Sequence, residues 1–452
     1  MPNLLKVAKF GGTSMANMEA MKRCAAIIVS DPDKKIIVVS ATSGTTDQLT
    51  KLFNSTLLDE KREILAGIRT RHLDICNSLR EPEAVLDTVT SRIDELEEIS
   101  LSNRTVTPQL KDLILSYGEI LSSMIFTQVL YEEDGDDTKI EWLDAREVII
   151  TDHSHTNAEP DLAAIEKRAD EILIPRFENR RFVTQGFIGK TAGGTTTTIG
   201  RGGSDYSAAL FAEAINADVL EIWTDVTAVY TTDPRIVPDA RPLTEISFDE
   251  AAELSTFGAK VLHPATLVPA VRKNIRVYVG SSFHPEKPGT WILKDTRSKP
   301  VIRAISLRRN QTLFTVHSLD MLHRHGFLAK LFEVLAKYKI SVDLVTTSEV
   351  SVSLTLDTDV NAPGRDMLTE VVINELKSFS QVEIQKDLAL VAMVGNNLHA
   401  TSGLSGPVFG ALQDFNIRLI CHGASSHNMC FLVNEGSAEK IVQILHEKFI
   451  GH

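Results

Sequence analysis

Short, wholly apolar runs alternate with stretches of helical spacing through the first two thirds of this chain. Leu4 to Ala8 and Lys35 to Val39 are such runs, the pattern of strands buried on both faces. Between them Met18, Met21, Ala25, Ile28 and Val29 recur at helical spacing, and Asp31-Pro32 closes the segment. Residues 47–130 keep a helical rhythm, and Gly193 to Thr198 reads as a hairpin tip. Strand-like runs return at Arg181–Ile188, Val219–Thr224 and Ile275–Val279, with a helix over Ser207–Ala217. This alternation predicts an α/β fold, a mostly parallel sheet sandwiched by helices, with ligands at the carboxyl ends of the strands.

The rhythm changes at the polar stretch Asp295-Thr-Arg-Ser-Lys-Pro300, which reads as a linker. Beyond it a βαββα unit of about seventy residues occurs twice. The first copy has strands at Thr312–Val316, Ile340–Val345 and Val350–Leu356, and helices opening at Gly326 and spanning Met367–Lys377. The second repeats the order with Leu388–Val394, a helix from Gly406 to Phe415, Ile417–Cys421, Met429–Val433 and Ala438–Phe449. The predicted domains are therefore 1–294 and 301–452. The second holds two ferredoxin-like modules, about 312–386 and 388–452, with strand 301–309 joining the latter.

Composition narrows the function. The chain has 452 residues, 43% hydrophobic and 24% charged, the profile of a globular protein of two to four domains. A net charge of −13 leaves no basic excess for nucleic acid, so any cations that hold a phosphorylated ligand must be local. No run approaches the ~20 apolar residues of a membrane span, and the N-terminus shows no signal-peptide h-region, so neither feature is expected. The four cysteines lack metal-ligand spacing; Cys421 and Cys430 are expected on adjacent strands as reduced core thiols, which points to the cytoplasm.

The candidate chemistry gathers at strand ends. Lys9-Phe-Gly-Gly-Thr-Ser14 puts a cation, two glycines and two hydroxyls where a strand gives way to a helix, a setting for phosphate, although glycine turns and solvated lysines are common. Gly200-Arg-Gly-Gly-Ser-Asp205 is a second such turn: Ser204 or Asp205 can cap the following helix, and Arg201 offers a bidentate fork. Both standard nucleotide motifs fail. Gly189-Lys190-Thr191 lacks the P-loop glycine, where Thr184 stands, and Asp205 occupies the third glycine position of a dinucleotide fingerprint. Trp223-Thr-Asp225 ends a strand; Tyr230 to Arg235 and Lys260 follow, and Tyr117-Gly118-Glu119 lies in the helical region. Each of these has a bland reading alone: a turn at Asp233-Pro234, a solvated Lys260, an exposed Glu119, a structural His263.

Taken in order, Lys9–Ser14, Tyr117–Glu119, Gly200–Asp205, Trp223–Asp225 and Phe257-Gly-Ala-Lys-Val-Leu-His-Pro264 resemble the motifs of the aspartate kinases. The doubled tail looks like that family's tandem ACT modules, so the resemblance spans nearly the whole chain. It is nearest to the monofunctional, lysine-sensitive branch, and the homoserine dehydrogenase half of bifunctional relatives is not expected. Met321 to Leu328 and Ser341 to Glu349 look like the branch's lysine site.

The resemblance implies an amino-acid kinase fold and transfer of phosphate from ATP to the side-chain carboxylate of L-aspartate, with Mg²⁺ on the nucleotide and no dedicated protein metal cage. A carboxylate is already ionised at neutral pH, so the task is positioning and charge neutralisation. The implied catalytic pair is Lys9 and Asp205, with Asp205 organising the centre directly or through Mg²⁺. The implied substrate residues are Thr46, Glu119, Arg201, Gly202, Gly203 and Ser204, with Arg201 at the α-carboxylate and Glu119 at the ammonium. ATP falls to Lys9, Phe10, Gly11, Gly12, Thr224, Asp225, Tyr230, Arg235, Lys260 and Val261, with Gly11 and Gly12 donating N–H groups. L-lysine falls to Met321, His323, Gly326, Phe327, Leu328, Ser341, Val342, Asp343, Ser348 and Glu349, with backbone near Gly326 to Leu328 receiving its carboxylate and Asp343 and Glu349 its ammonium groups. The assembly implied is a homodimer through the ACT modules, or a dimer of dimers. An acetylglutamate or uridylate kinase would lack the doubled tail; a non-catalytic sensor would not need Lys9, Glu119, Arg201 and Asp205 intact.

Overall fold

Strand β1 (Lys6–Phe10) is buried along nearly its whole length because strands flank it on both sides and helices cover it. The computed structural model describes residues 4–102, 105–135, 139–178, 180–200, 202–258, 262, 264–322, 325–356 and 368–451. After β1 come α1 (Met18–Val29), β2 (Lys34–Val39), the helices α2 (Thr45–Asn54), α3 (Leu58–Cys76), α4 (Glu83–Leu101) and α5 (Pro108–Asp134), and β3 (Lys139–Leu143). Then follow β4 (Ile150–Thr151), α6 (Leu162–Ile172), β5 (Arg180–Gln185), β6 (Ile188–Thr191), β7 (Thr196–Thr198), α7 (Gly203–Ala214) and β8 (Val219–Thr224). The series ends with β9 (Glu245–Ser247), α8 (Phe248–Thr256), α9 (Pro264–Lys273), β10 (Arg276–Ser281) and β11 (Thr290–Leu293).

The main sheet has the order β3-β5-β2-β1-β8-β10-β11-β9, and only the β10–β11 pairing in it is antiparallel. From β1 the chain moves to β2 on one side and later crosses to β8 on the other. The carboxyl end of β1 is thus a switch point, where open α/β sheets form their crevice. A small sheet β4-β6-β7 contains the expected hairpin as an antiparallel β6–β7 pair.

Helix α5 corrects one expectation. By length and composition it could cross a membrane, yet most of it is buried within this unit, as the helix that backs the sheet. Strands β3, β9 and β11 are elements that the apolar pattern alone does not show, being short or half polar.

A second compact unit comprises Tyr230–Arg241, Thr256–Ala259 and Arg297–His452. The first two segments fall within the first domain as drawn from sequence. Tyr230–Arg241 joins the second unit because its core and its hydrogen bonds lie there: Ile236 sits in that core, and the Ile305 N–H donates to Thr231 O at 2.7 Å. The tail folds as β12 (Ile302–His317), α10 (Phe327–Lys337), β13 (Val342–Thr347), β14 (Ser351–Leu356), α11 (Glu370–Lys377), β15 (Gln381–Gly395), α12 (Ser405–Ala411), β16 (Ile417–His422), β17 (Asn428–Asn434) and α13 (Glu435–Phe449).

Its six strands form one antiparallel sheet, β13-β14-β12-β15-β17-β16. The repeat is therefore not two separate sheets. Strands β12 and β15 run through both modules, each with a left-handed residue between its halves, Asn310 (φ 57°) and Asp387 (φ 58°). Two hydrophobic cores sit under the helices, one around Phe314, Leu331 and Leu354, the other around Val391, Phe431 and Ile441. Cys421 and Cys430 are register partners on β16 and β17, both free thiols.

Candidate active site

Lys9 is the penultimate residue of β1, and its Nζ lies 2.5 Å from Asp205 Oδ1 on α7. Both side chains are largely buried, so the pair sits in surroundings that screen it little. Phe10 anchors the strand end by stacking on Trp223 and meeting Phe126. The glycine turn departs from the sequence expectation. Strand β1 runs on through Phe10, and a 3₁₀ turn over Gly12–Met15 precedes α1, whose cap is Asn17. The Gly11 N–H donates to Trp223 O at 3.1 Å, so this donor holds the loop to β8 and is not free for phosphate. Gly12 passes so close to Ala41 O that a Cβ would stand 3.2 Å from it.

Opposite this turn, the segment after β2 packs against α5. Gly118 allows the approach, since a Cβ there would meet Ala41 Cβ at 2.9 Å and Leu49 Cδ1 at 3.2 Å. Glu119 follows, 4% exposed, and its Oε1 accepts from the Ala41 N–H at 3.3 Å. Among the described residues its Oε2 has no hydrogen-bond partner. Burial pushes its carboxyl up to about 8, against a smaller opposing effect of the Ala41 N–H. The bland reading of an exposed helical glutamate is overturned.

Thr46 is exposed in the first turn of α2, whereas the adjacent Thr45 is buried and its hydroxyl has no partner among the described residues. Thr45 is a polar group of this pocket that sequence reasoning did not single out. The loop is held from behind by His72, whose Nδ1 bonds Ile68 O (2.7 Å) and whose Nε2 meets Thr42 Oγ1 (3.0 Å). The carbonyl requires the proton on Nδ1, so the Thr42 hydroxyl donates to Nε2. Burial holds the ring's pKa down to about 4.

The second glycine turn leads into α7 through Gly200 (φ 75°) and Gly202 (φ 66°), both left-handed. Gly202 is the N-cap residue and no side chain caps the helix; Ser204 and Asp205 lie inside its first turn, which corrects their expected capping role. The first N–H groups of α7, at Gly203 and Ser204, open beside the Lys9–Asp205 pair, as the first turn of any helix leaves them. Phe187 backs the turn, standing where a Gly203 Cβ would go (2.6 Å). Arg201 lies outside the described residues, as do Lys260, Val261 and His323.

At the end of β8 the Thr224 hydroxyl donates to Asp225 Oδ1 (3.1 Å), and Ser282 N–H holds Thr224 O (2.9 Å). Thr224 and Asp225 thus share the carboxyl edge with Lys9, Glu119 and Asp205. Tyr230 and Arg235 belong to the second unit. There Arg235 is exposed and forms a fork with Asp233 (2.7 Å), holding that carboxyl below the usual range.

The nine expected effector residues that are described lie at two ends of one module within the chain. Strands β12 and β13 both run antiparallel to β14 and are therefore parallel to each other. Met321 and Gly326 to Leu328 follow the end of β12, and Ser348 and Glu349 follow the end of β13, all at one end of the module. Ser341, Val342 and Asp343 lie at the start of β13, so Asp343 and Glu349 are separated by about 20 Å of extended chain. Asp343 is moreover bound to Arg308 Nη1 at 2.8 Å.

Comparison with known proteins bears on this geometry. The family described as "Amino acid kinase family" matches residues 5–281, and an ACT domain matches 391–449. The chain is 48% identical over 442 residues, 97% of its length and 98% of the relative's, to lysine-sensitive aspartokinase 3 of Escherichia coli strain K12. It is similar to the crystal structure of E. coli aspartokinase III with aspartate and ADP in the R-state (TM-score 0.89, 47% identity, 98% and 99% of the two chains). It is also similar to that enzyme with lysine and aspartate in the T-state (TM-score 0.86, 47% identity, 99% of each chain). The chain belongs to the amino acid kinase family, within its aspartokinases.

Proposed function

We propose that this protein transfers the γ-phosphoryl group of ATP to the side-chain carboxylate of L-aspartate, giving 4-phospho-L-aspartate. One observation carries the reading. A lysine–carboxylate pair, Lys9 and Asp205, shares the carboxyl edge of the sheet with a buried glutamate whose second oxygen has no partner among the described residues. A buried, unpaired carboxylate is costly unless a cation arrives to meet it. An amino acid's ammonium group is such a cation. Glu119 then holds the ammonium, the start of α7 together with Arg201 receives the α-carboxylate, and the side-chain carboxylate is left beside Lys9.

The acceptor is already an anion, so no general base is required. The barrier lies in bringing anions together, and Lys9 offsets charge as the phosphoryl group passes. Lys9 is held in place beforehand by Asp205, which reduces reorganisation during the transfer. Thr224 and Asp225, with Lys260 and Val261, would hold the nucleotide, and Thr46 would assist the substrate. For Mg²⁺, the described residues contain no cluster of three ligating side chains. The ion would be carried mostly by phosphate oxygens and water, with Asp205 as the carboxylate at hand, and would supply charge neutralisation on the nucleotide.

We further infer inhibition by L-lysine at the ACT modules, the response named in the E. coli relative. The split of the effector residues between two ends of one module supports a site shared by two copies, hence a homodimer. The product, an acyl phosphate, suits an entry step to lysine, threonine and methionine in the cytoplasm. The test is hydroxylamine trapping with aspartate and ATP. Wild type should yield aspartyl hydroxamate and Lys9→Ala should lose nearly all of it. No hydroxamate from wild type refutes the kinase reading, and an unimpaired Lys9→Ala refutes that residue's role.

A further inference from the structure

We propose that Asp112 is a positioning residue for the substrate's α-carboxylate, acting as a clasp that holds the backbone leading into α7 at a set distance from Glu119. This rests on the aspartate-kinase reading above. Asp112 lies on α5 seven residues before Glu119, about two helical turns or ~10 Å away on the same face. It is completely buried.

Its carboxylate gathers donors from three directions. The Thr156 N–H reaches both oxygens (3.0 and 3.1 Å), the Thr198 hydroxyl donates to Oδ1 (2.6 Å), and His155 Nδ1–H donates to Oδ2 (2.8 Å). A carboxylate without solvent is tolerable only when its lone pairs are met in this way.

The clasp also holds strain. Thr156 is β-branched yet sits at φ 72°, a region such residues avoid. Strain of this kind persists where surrounding bonds over-determine it, and it collects at functional sites. Here the next residue shows what the strained conformation achieves. Asn157 Oδ1 fills the space of a Cβ on Gly200, 2.3 Å from where that atom would be. The Ala158 N–H meanwhile donates to Thr198 O (2.9 Å).

Both approaches to the Gly200–Gly202 turn therefore end on one carboxylate: through Thr156 and Asn157 on one side, and through Thr198, two residues upstream of Gly200, on the other. The turn delivers the first N–H groups of α7, those of Gly203 and Ser204. Because Asp112 and Glu119 ride on one rigid helix, the two ends of the amino acid are gripped by parts with a shared mount.

The test uses full-length protein, hydroxamate formation and thermal melts. Asp112→Asn keeps the shape but cannot accept from every donor. It should raise the aspartate KM at least tenfold and leave the ATP KM within twofold. It should also lower the preference, in kcat/KM, for L-aspartate over its α-amide at least fivefold, since a displaced turn no longer reads that carboxylate. Thr198→Val should shift the same two quantities several-fold, and Thr198→Ser should restore them. This pair decides the matter if Asp112→Asn does not fold. A folded Asp112→Asn or Thr198→Val with unchanged aspartate KM and unchanged preference overturns the clasp, as does an equal rise in both KM values. Either result stands apart from failure of the kinase reading, in which wild type itself makes no hydroxamate.

Discussion

Aspartate binding should release a proton, and the size of the effect follows from Glu119. Without ligand the carboxyl is pushed up to about 8, so near pH 7 it is mostly protonated. Pairing with an ammonium group requires the ionised form. The apparent dissociation constant then exceeds the intrinsic one by about 1 + 10^(8 − pH). That factor is about 11 at pH 7, close to 1.3 at pH 8.5 and about 33 at pH 6.5 by the same relation. Binding should weaken roughly 25-fold as pH falls from 8.5 to 6.5. The sign is that of a raised carboxyl: the proton competes with the ligand, and lowering pH favours the proton.

Isothermal titration of aspartate in two buffers of different ionisation enthalpy at pH 7 should report release of about 0.9 proton per site. Glu119→Gln removes both the charge and the proton. With a charge-assisted bond worth ~1.5–3 kcal/mol, the variant should bind about ten- to hundredfold more weakly at pH 8.5, with the gap narrowing toward pH 6.5. A wild-type affinity that varies less than twofold across this range would refute the reasoning. So would an equal pH slope in Glu119→Gln.

Other outcomes follow from neighbouring geometry. Gly118→Val must push against Ala41 and Leu49, at 2.9 and 3.2 Å from the new Cβ, and should cost about 1–3 kcal/mol in chemical denaturation while raising the aspartate KM more than the ATP KM. His72 has its pKa held near 4 by burial, so the unfolded chain takes up this proton first as pH falls below 6.5. Its contribution to stability should thus be lost progressively between pH 6.5 and 4, up to about 3 kcal/mol, and urea melts of His72→Gln should show a shallower decline over that interval. For the effector, chains carrying Asp343→Ala or Glu349→Ala should each lose lysine inhibition as homodimers. Co-expressed, the two should regain part of it, because one shared site per mixed dimer is intact; no recovery would place the lysine site within one copy.

The parts of the site legible in sequence were those whose chemistry is local. Lys9 with its glycines, and Asp205 behind Gly202-Gly203, announce themselves because charge, turn and strand end lie within six residues. Phosphate access was misjudged for Gly11, since the partner that takes its N–H, Trp223, comes from a strand more than two hundred residues away. The Asp112 clasp was invisible for the same reason: its partners His155 and Thr198 are 43 and 86 residues distant, and an aspartate inside a helix looks solvated until burial is known. In the tail, Asn310 and Asp387 resemble turn residues, and their left-handed backbones were the very points where two continuous strands pass between modules. The two-module rhythm was legible because apolar spacing repeats; the shared sheet was not, because strand partnership is a long-range property.

The position of Lys9 explains why so short a motif can organise a phosphoryl-transfer site. Strand β1 is flanked by β2 and β8, and the register pairs Lys9 with Val38 on one side and Ile222 on the other. Apolar partners on both sides leave the lysine's backbone no freedom, so the side chain can only be aimed by what lies beyond the strand ends. Asp205 supplies that aim from the first turn of α7, at a helix end whose N–H groups favour negative charge. A cation so paired is neutral to its surroundings until a second anion enters. The arriving phosphoryl group must then share Lys9 with Asp205, and the attraction grows as charge develops on the transferring oxygens. Replacing Asp205 by Asn should therefore leave Lys9 without its counter-ion and poorly aimed, tightening nucleotide binding while slowing transfer. A variant that weakened both together would instead mark Asp205 as a plain nucleotide contact, and the two cases separate cleanly in the ATP KM and kcat.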